Sequence, residues 1–260
     1  MNVIALQLDI AWENKRANFD HVRRLLQKAA PEKDSLVVLP EMFATGFSMN
    51  GIAEPRGGET ERFLAQTAMD SGVCVIAGVA TREPDGTARN RALAFSPAGE
   101  LLASYAKMQP FTPGGEGDAH QAGEAPVVFE WRGWKIAPFV CYDLRFPEIF
   151  RQAVTAQQPH LFAVIANWAP RRIHHWLRLL QARAIENQAW VMGVNRTGSD
   201  PTHVYNGRSV IVDPHGDILA DAGDAEGFIS ARLDLAALEN YRNELPFLAD
   251  MRGRPAGQNA

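Results

Sequence analysis

Residues 134–148 have the sequence WKIAPFVCYDLRFPE, in which an apolar strand gives way to a polar segment able to start a helix. Cys141 stands at the junction between the two. A sharp turn from strand to helix exposes the side chain at its corner, and the backbone N–H groups that follow point to the same side. The stretch therefore predicts a nucleophile beside an oxyanion donor, although a single cysteine taken alone is more often a core residue.

Polar residues also end three other predicted strands. Glu41 follows a buried strand and its terminating proline, Lys107 closes the second strand of a predicted hairpin, and Asn167 follows a third apolar strand. In folds that alternate strands and helices, ligands gather at the carboxyl ends of the strands. We therefore expect these side chains and Cys141 to meet in one cleft.

Strands and helices alternate along most of the chain. Apolar residues recur at helical spacing over 19–29, 60–71 and 173–184, with short apolar strands between these segments. Turn-rich connectors indicate an antiparallel hairpin over 91–107 and further antiparallel strands that begin with 204–213. The pattern predicts an α/β protein with a mixed sheet, or two sheets, covered by helices.

Composition indicates a globular protein. The chain has 260 residues, of which 46% are apolar and 22% charged, which is enough to bury a large core. Because no Pro- or Ser-rich linker divides it, we predict one domain over residues 1–260 with a polar tail from about residue 250.

Charge and cysteine usage exclude several classes of function. The net charge of −4 lacks the basic excess that phosphate binding needs, so we expect no nucleic-acid partner. The longest apolar runs fall well short of the roughly 20 residues that span a bilayer, so we expect no membrane role. Two distant cysteines, Cys74 and Cys141, do not form a disulfide framework or a paired-cysteine zinc site.

Without a signal-peptide pattern at the N-terminus, we expect a cytoplasmic protein.

The four polar strand ends contain the groups that thiol catalysis requires. A thiol needs a nearby base or cation before it can attack a carbonyl, and Glu41 can serve as that base. Lys107 can hold the oxyanion that forms, with the backbone N–H of Tyr142 as a second donor. Each of the two charged residues alone fits an ordinary solvated surface group, but together with Cys141 they predict an acyl-transfer site.

A second carboxylate lies close behind the lysine in the sequence. Glu116 belongs to a glycine-rich segment, residues 111–118, that we predict to be an exposed loop running near Lys107. It can orient the lysine or contact substrate, and a plain surface acid is a nearly equal alternative.

The chain resembles the nitrilase, or carbon-nitrogen hydrolase, superfamily. Residues 39–41 (LPE), 105–107 (YAK) and 141–147 (CYDLRFP) are similar to its three catalytic motifs in order and separation. The resemblance continues through Asn167-Trp168 and residues 182–188 (ARAIENQ), so it covers nearly the whole chain. Within the superfamily the sequence is most similar to the omega-amidases, which hydrolyse 2-oxoglutaramate and related short diacid monoamides.

The resemblance implies a fold, a mechanism and an assembly. The implied fold is a four-layer αββα sandwich, and the implied assembly is a homodimer. Cys141 becomes the nucleophile, Glu41 the general base, Lys107 the oxyanion stabiliser and Glu116 the supporting glutamate. The substrates are a small amide and water, and neither a metal nor an organic cofactor is implied.

Substrate selection rests on residues near the proposed nucleophile. The carboxylate of a diacid monoamide can be held by the guanidinium of Arg145, where the family's usual anchor falls, although a structural ion pair is an even alternative. Phe43, Asn167 and Trp168 lie close enough in sequence to the motifs to line the pocket. Arg171 and Arg172 fit better as a solvated face of a helix start.

Two departures from the family pattern affect the expected substrate more than the expected reaction. Residues 108–111 read MQPF where the branch often has His-Leu-Phe after the lysine, and residues 167–170 read NWAP where it often has Asn-Trp-Pro. The alternatives are therefore another activity of the superfamily, such as an aliphatic amidase, an N-carbamoyl hydrolase or a nitrilase. A non-catalytic scaffold on the same fold is a third interpretation.

Overall fold

The computed structural model of the chain describes residues 1–251. Its strands are Asn2–Gln7 (β1), Leu36–Val38 (β2), Glu54–Pro55 (β3), Cys74–Arg82 (β4), Ala88–Phe95 (β5), Leu101–Ala106 (β6), Phe129–Trp131 (β7), Trp134–Val140 (β8), Leu161–Ala166 (β9), Trp190–Asn195 (β10), Thr197–Ser199 (β11), Val204–Asn206 (β12), Val210–Val212 (β13), Ile218–Asp221 (β14) and Gly227–Arg232 (β15). Its α-helices are Lys15–Ala29 (α1), Glu59–Ser71 (α2), Glu116–Ala119 (α3), Pro147–Gln157 (α4), Ile173–Asn187 (α5) and Leu235–Glu244 (α6).

The strands form two mixed sheets and a short hairpin. The first sheet has the order β15-β1-β2-β4-β5-β6, with β3 beside β4, and the second has the order β14-β13-β10-β9-β8-β7. β1, β2 and β4 are parallel, as are β8, β9 and β10. β11 and β12 form a two-stranded hairpin, and Thr197 of β11 also bridges to Asp9 after β1.

The first sheet is covered by helices on one face. Alternate strand residues such as Leu6, Val37 and Val75 pack with Phe19 of α1 and Phe63 of α2 in one apolar cluster. Their neighbours in sequence point the other way, because successive strand residues face opposite sides of a sheet. The outer helices therefore contact one face of the sheet, and the side chains on the opposite face are available for a second core.

The second core lies between the sheets and continues to α4 and α5. It combines Val3, Val38 and Ile76 of the first sheet with Ile136 and Phe162 of the second. β1 lies against β10 and β5 against β8, while α5 packs on β10 and β13. The layers follow the order helix, sheet, sheet, helix, which confirms the predicted αββα sandwich.

Two predicted elements differ from the structure. The predicted strand 204–213 is interrupted at 207–209, so β12 belongs to the short hairpin and β13 to the second sheet. Gly207 breaks the strand, since it has a φ of +63° and a Cβ there would lie 2.3 Å from the Gln7 amide. Residues 112–118 are mostly exposed, as predicted, but they include a short 3₁₀ turn and the start of α3, and Glu116 among them is fully buried.

The remaining predictions concern the chain ends and the bilayer. The predicted tail from about residue 250 falls almost entirely outside the described residues. None of the helices within residues 1–251 combines the length and the apolar character needed to cross a membrane.

Candidate active site

Glu41 is placed by the end of β2 and by a close approach of β4. The chain leaves β2 through Leu39 and Pro40, and the N–H of Gly78 on β4 donates to the Pro40 carbonyl at 3.1 Å. A Cβ at Gly78 would lie 2.4 Å from the Glu41 Cα, so only glycine lets the two segments come this close. Glu41 is fully buried as a result.

Lys107 lies between two buried carboxylates. Its Nζ donates to Glu41 Oε1 at 2.9 Å and to Glu116 Oε2 at 2.7 Å, and all three side chains are at most 1% exposed. The N–H of Phe111 also donates to Glu116 Oε2, at 2.6 Å. The structure thus brings Glu41, Lys107 and Glu116 together, as the sequence predicts, and rules out the surface-acid interpretation of Glu116.

Both carboxylate oxygens of Glu41 accept hydrogen bonds. Oε1 accepts from Lys107 and from Asn90 Nδ2 at 2.7 Å. Oε2 accepts from the Asn167 N–H at 2.8 Å and from Asn167 Nδ2 at 3.3 Å. The same Nδ2 donates to the Glu41 carbonyl at 2.7 Å, so the amide of Asn167 has its nitrogen toward Glu41.

Cys141 begins a 3₁₀ turn, Cys141–Arg145, directly after β8. Its φ is +49°, a left-handed conformation that non-glycine residues rarely adopt and that often marks functional positions. Asp143 stabilises the turn, since its Oδ2 accepts from the Val140 N–H at 2.9 Å and from the Tyr105 hydroxyl at 2.8 Å. Its Oδ1 accepts from the Gln109 N–H at 2.9 Å, which ties the turn to the segment after Lys107.

The electrostatics of the site keep the thiol protonated at rest. Burial and the charge of Glu41 raise the pKa of Cys141 well above its usual value, against the opposing effect of Lys107. Burial acts to raise the pKa of Glu41 as well. The effects of Lys107 and of the amide donors are larger in sum, and the pKa of Glu41 is therefore lowered. Glu41 and Glu116 raise the pKa of Lys107 despite its burial. These directions favour a protonated Cys141 beside an ionised Glu41 and a charged Lys107.

Cys141 lines a cavity of about 460 Å³. Four other predicted site residues line the same cavity: Tyr142, Arg145, Asn167 and Trp168. The Arg145 guanidinium lies 4.8 Å from the Trp168 ring centre, and no carboxylate within residues 1–251 lies within 4 Å of it. The ion-pair alternative for Arg145 therefore does not hold for the described residues, and its charge is available to an anion that enters the cavity.

Phe43 does not line this cavity, contrary to the prediction. It is fully buried in the cluster between the first sheet and its helices, with its ring 6.1 Å from the rings of both Phe19 and Phe63. The turn after Glu41 directs Phe43 into the core, and Phe47 lines the cavity instead.

The comparison with known families follows this geometry. Residues 2–243 match the carbon-nitrogen hydrolase family. The chain belongs to this family. It is therefore a hydrolase that acts on the carbon–nitrogen bonds of amides.

Two relatives are similar to this hydrolase over nearly their whole length. The omega-amidase YafV of Yersinia enterocolitica is 41% identical over 254 residues, which cover 96% of each chain. The 2-oxoglutaramate amidase of Bacillus subtilis is 33% identical and covers 96% of this chain and 97% of its own. Among solved structures, a CN-hydrolase superfamily protein of Xanthomonas campestris, which carries an arsenic adduct in its active site, has a TM-score of 0.92 at 33% identity over 99% of both chains.

Several residues of the hydrolase site were not predicted from the sequence. Asn90 and Asp143 are buried beside the charged groups, and further residues complete the cavity wall: Trp12, Phe47, Phe111, Arg172, Asp200 and Tyr205. Arg172 lines the cavity, whereas the sequence favours a solvated position at the start of a helix. One signal was available for Asn90, because asparagine is depleted in strands and here lies just before the apolar run 92–95.

Proposed function

We propose that this hydrolase is an omega-amidase that releases ammonia from a small carboxylate-bearing amide through a thioester on Cys141. The observation that carries the proposal is the position of Lys107 between Glu41 and Glu116, behind a cavity that exposes Cys141 and an arginine without an ion pair. The names of the two similar amidases support the same substrate class.

The first half-reaction forms the thioester. As the sulfur of Cys141 bonds to the amide carbon, its proton passes to Glu41, because the pair at rest is a thiol and a carboxylate. Glu41 Oε2 receives this proton, since its bond from Asn167 Nδ2 is, at 3.3 Å, the longest of the four that the carboxylate accepts. The protonated Glu41 then donates to the departing nitrogen, the C–N bond breaks, and ammonia leaves.

Lys107 has one hydrogen free for the oxyanion. An ammonium group carries three donors, and Glu41 and Glu116 occupy two of them. The Nζ lies 5.4 Å from the centre of the Phe47 ring, which is part of the cavity wall. The third hydrogen and the Tyr142 backbone N–H stabilise the negative oxygen of the tetrahedral intermediate.

The second half-reaction hydrolyses the thioester. A water molecule attacks the acyl carbon while Glu41 takes one of its protons, and a second tetrahedral intermediate forms on the same oxyanion donors. When it collapses, the C–S bond breaks, the sulfur regains a proton from Glu41, and the carboxylic acid is released. Glu41 therefore ends each cycle ionised.

Two arginines select the carboxylate of the substrate. Arg145 and Arg172 both line the cavity, and neither forms an ion pair within 4 Å in the described part of the chain. Asp200 also lines the cavity, but its carboxylate is occupied by donors from Thr202, His203 and Tyr205. The wall thus offers positive charge to an anion and no free carboxylate to a substrate ammonium group.

Asn167 holds the amide end of the substrate. Its Oδ1 is buried without a hydrogen-bond partner among the described residues, and the residue lines the cavity. Because its Nδ2 is turned to Glu41, the Oδ1 is the acceptor left for a substrate N–H. Trp168 and Tyr142 contribute aromatic surface to the same cavity.

We place the protein in the cytoplasm as a single-domain homodimer, without nucleic-acid or membrane partners. Both cysteines are free, and a catalytic thiol must stay reduced. The superfamily resemblance implies the dimer, and exposed apolar side chains at Ile185, Leu245 and Phe247 offer surface for a second copy. Light scattering of the purified protein tests the dimer.

Trapping the acyl-enzyme tests the mechanism. We expect wild-type protein mixed with 2-oxoglutaramate or succinamate to release ammonia and to carry the acyl mass on the peptide that contains Cys141. Cys141→Ala should retain the fold and lose both signals, whereas Cys74→Ala, which changes a buried core cysteine, should retain both. Ammonia release by Cys141→Ala at the wild-type rate would refute the assignment.

A substrate panel separates the omega-amidase from other activities of the superfamily. We expect the highest kcat/KM for 2-oxoglutaramate and succinamate, with lower values for propionamide, glutamine, an N-carbamoyl amino acid and a nitrile. A preference for the uncharged amide would favour an aliphatic amidase. Absence of turnover on every compound would favour the scaffold interpretation.

A further inference from the structure

Asn90 lies behind the catalytic groups and outside the cavity. It is the third residue of β5, pairs with Ala80 on β4, and is 2% exposed. Its carbonyl accepts from the Lys107 N–H at 2.8 Å. β5 runs antiparallel to β4, so the beginning of β5 reaches the edge where Glu41 and Lys107 stand. Asn90 therefore does not contact a substrate in the cavity, and any effect on the substrate is transmitted by Glu41 and Lys107.

Both hydrogens of the Asn90 amide are donated to carboxylates. Nδ2 lies 2.7 Å from Glu41 Oε1 and 2.7 Å from Glu116 Oε1. Because both neighbours can only accept, the amide nitrogen must face them, which leaves Oδ1 buried and without a partner in the described residues. Burying an unpaired acceptor is unfavourable, so this orientation of the amide lowers the stability of the fold.

The charges explain what the two hydrogen bonds do. Glu41 and Glu116 share the single positive charge of Lys107, which leaves the buried group with one excess negative charge. The other titratable groups facing Glu41 are Cys141, which is neutral at rest, and His120, whose burial lowers its pKa. Two carboxylates this close normally share a proton, and a proton on Glu41 would remove the base.

We propose that Asn90 is a positioning residue that keeps Glu41 ionised and so sets the acidic limit of the enzyme's working range. This inference rests on the proposed role of Glu41 as general base. Asn90 supplies a neutral donor to each carboxylate, which disperses their charge without adding a second cation that would compete with Lys107 for the oxyanion. It also fixes Glu41 Oε1 toward Lys107 and leaves Oε2 for the proton of the thiol.

The pH profile of kcat/KM tests this role. We expect the acidic limb of Asn90→Ala to lie about one pH unit above that of the wild type, which is the size of shift that one donor to a carboxylate produces. Asn90→Asp has the same shape but adds a third acid, so its limb should move further. KM for succinamate should change less than kcat, because Asn90 does not reach the cavity.

Asn18→Ala is the matched control. Asn18 is 1% exposed and also donates both amide hydrogens, but to the uncharged carbonyls of Ala11 and Ala44, each at 2.8 Å. We expect this variant to have a lower Tm without a shift of the acidic limb. An Asn90 variant that behaves in the same way, with lower activity at every pH and an unmoved limb, would overturn the proposal.

Stability measured against pH provides a readout that does not depend on activity. The Asn90 hydrogen bond stabilises the ionised form of Glu41, so the Tm deficit of Asn90→Ala should be large at pH 7 and shrink as Glu41 becomes protonated. The deficit of Asn18→Ala should stay constant. A constant deficit for both Asn90 variants, or failure of both to fold at pH 5 as well as at pH 7, would also overturn the proposal.

Failure of the proposed function is distinguishable from failure of this inference. If the wild type releases no ammonia from any amide, the general-base role is lost, while the stability measurement still reports whether Asn90 keeps the carboxylates ionised.

Discussion

Lys107 is paired with two carboxylates, so its replacement affects charge as well as oxyanion binding. We expect Lys107→Met to lower kcat on the order of 100-fold or more, as the loss of an oxyanion donor does in comparable sites. Glu41 and Glu116 would then be buried without a cation, which also lowers stability. Steady-state kinetics and thermal unfolding measure the two effects.

The pH dependence of that stability loss has a definite sign. In the wild type Lys107 lowers the pKa of Glu41, so its stabilising effect is present at neutral pH and lost as pH falls through that pKa. Without Lys107 both carboxylates favour protonation, and the Tm of the variant should approach that of the wild type as pH is lowered. An equal Tm difference at pH 5 and pH 8 would contradict the pairing.

Arg145 should act on the charged end of the substrate. We expect Arg145→Ala to raise KM for succinamate at least about tenfold, because a bidentate carboxylate contact in a partly closed site is lost. KM for propionamide, which has no carboxylate, should change little. Arg171→Ala is the control, since Arg171 is adjacent to Arg172 but does not line the cavity. Equal effects on both amides would remove Arg145 from substrate binding.

Site residues that follow a strand could be predicted from the sequence, whereas those within a strand could not. Glu41, Lys107 and Cys141 each follow a strand, and polar residues at strand ends stand out against apolar runs. Asn90 and Tyr105 lie inside strands, and their partners depend on pairing across sheets that a single sequence does not specify. Because β5 runs antiparallel to β4, its first residues lie at the edge of the sheet that carries Glu41 and Lys107. The sequence analysis expected only the carboxyl ends of strands at that edge.

At the scale of elements, the turn Cys141–Arg145 depends on Asp143 and on Tyr105 at the end of β6. Burial raises the pKa of Asp143 to about 7, despite Lys107 and the three donors that the carboxylate accepts. We expect Tyr105→Phe to lower the free energy of unfolding by about 1.5–3 kcal/mol at pH 8, where the hydrogen bond joins a charged group.

The effect of Tyr105→Phe should depend on pH. A folded pKa above the unfolded one means that the contribution of Asp143 to stability is present below about pH 4 and lost as pH rises through 7. Removing the hydroxyl raises that pKa further, so the deficit should grow from pH 5.5 to pH 8. Urea unfolding at both values measures it, with Tyr241→Phe on α6 as the control. A deficit that is larger at pH 5.5 would argue against an ionisable partner.

The end of α1 offers a stabilising substitution. Ala30 caps this helix with a φ of +43°, its N–H donates to the Leu26 carbonyl, and its side chain is exposed. Glycine adopts this conformation without strain, so Ala30→Gly should raise the free energy of unfolding by about 0.5–1 kcal/mol after the added freedom of the unfolded chain. Ala29→Gly, one residue earlier in the helix, should lower it by a similar amount. A lower Tm for Ala30→Gly would show that the cap is not strained.

Helices and hairpins with a regular spacing of apolar residues could be predicted from the sequence. Segments whose backbone conformation depends on tertiary contacts could not. α1, α2 and α5 follow their apolar spacing, and the hairpin β5–β6 follows its turn. The break at 207–209 and the helical turn at 116–119 depend on long-range contacts, namely the approach of Gln7 and the pull of Lys107 on Glu116. Such contacts override local preference and leave little trace in the sequence.

At the scale of the whole molecule, the resemblance to a family supplied the αββα order that periodicity alone left open. Alternating strands and helices fit one mixed sheet as well as two. What separates the two cases is that both faces of β1, β2 and β4 are apolar, one toward the outer helices and one toward the second sheet. A single sequence does not assign the two faces to different partners.

One feature of the first sheet bears on how the protein is made in a cell. Asn2 pairs with Arg232, so the neighbour of the N-terminal strand is translated more than two hundred residues later. Until β15 has been synthesised, one edge of β1 has unpaired backbone N–H and C=O groups, and such edges can pair with other chains. Translation speed and chaperone supply should therefore govern the yield of this protein more than its final stability does.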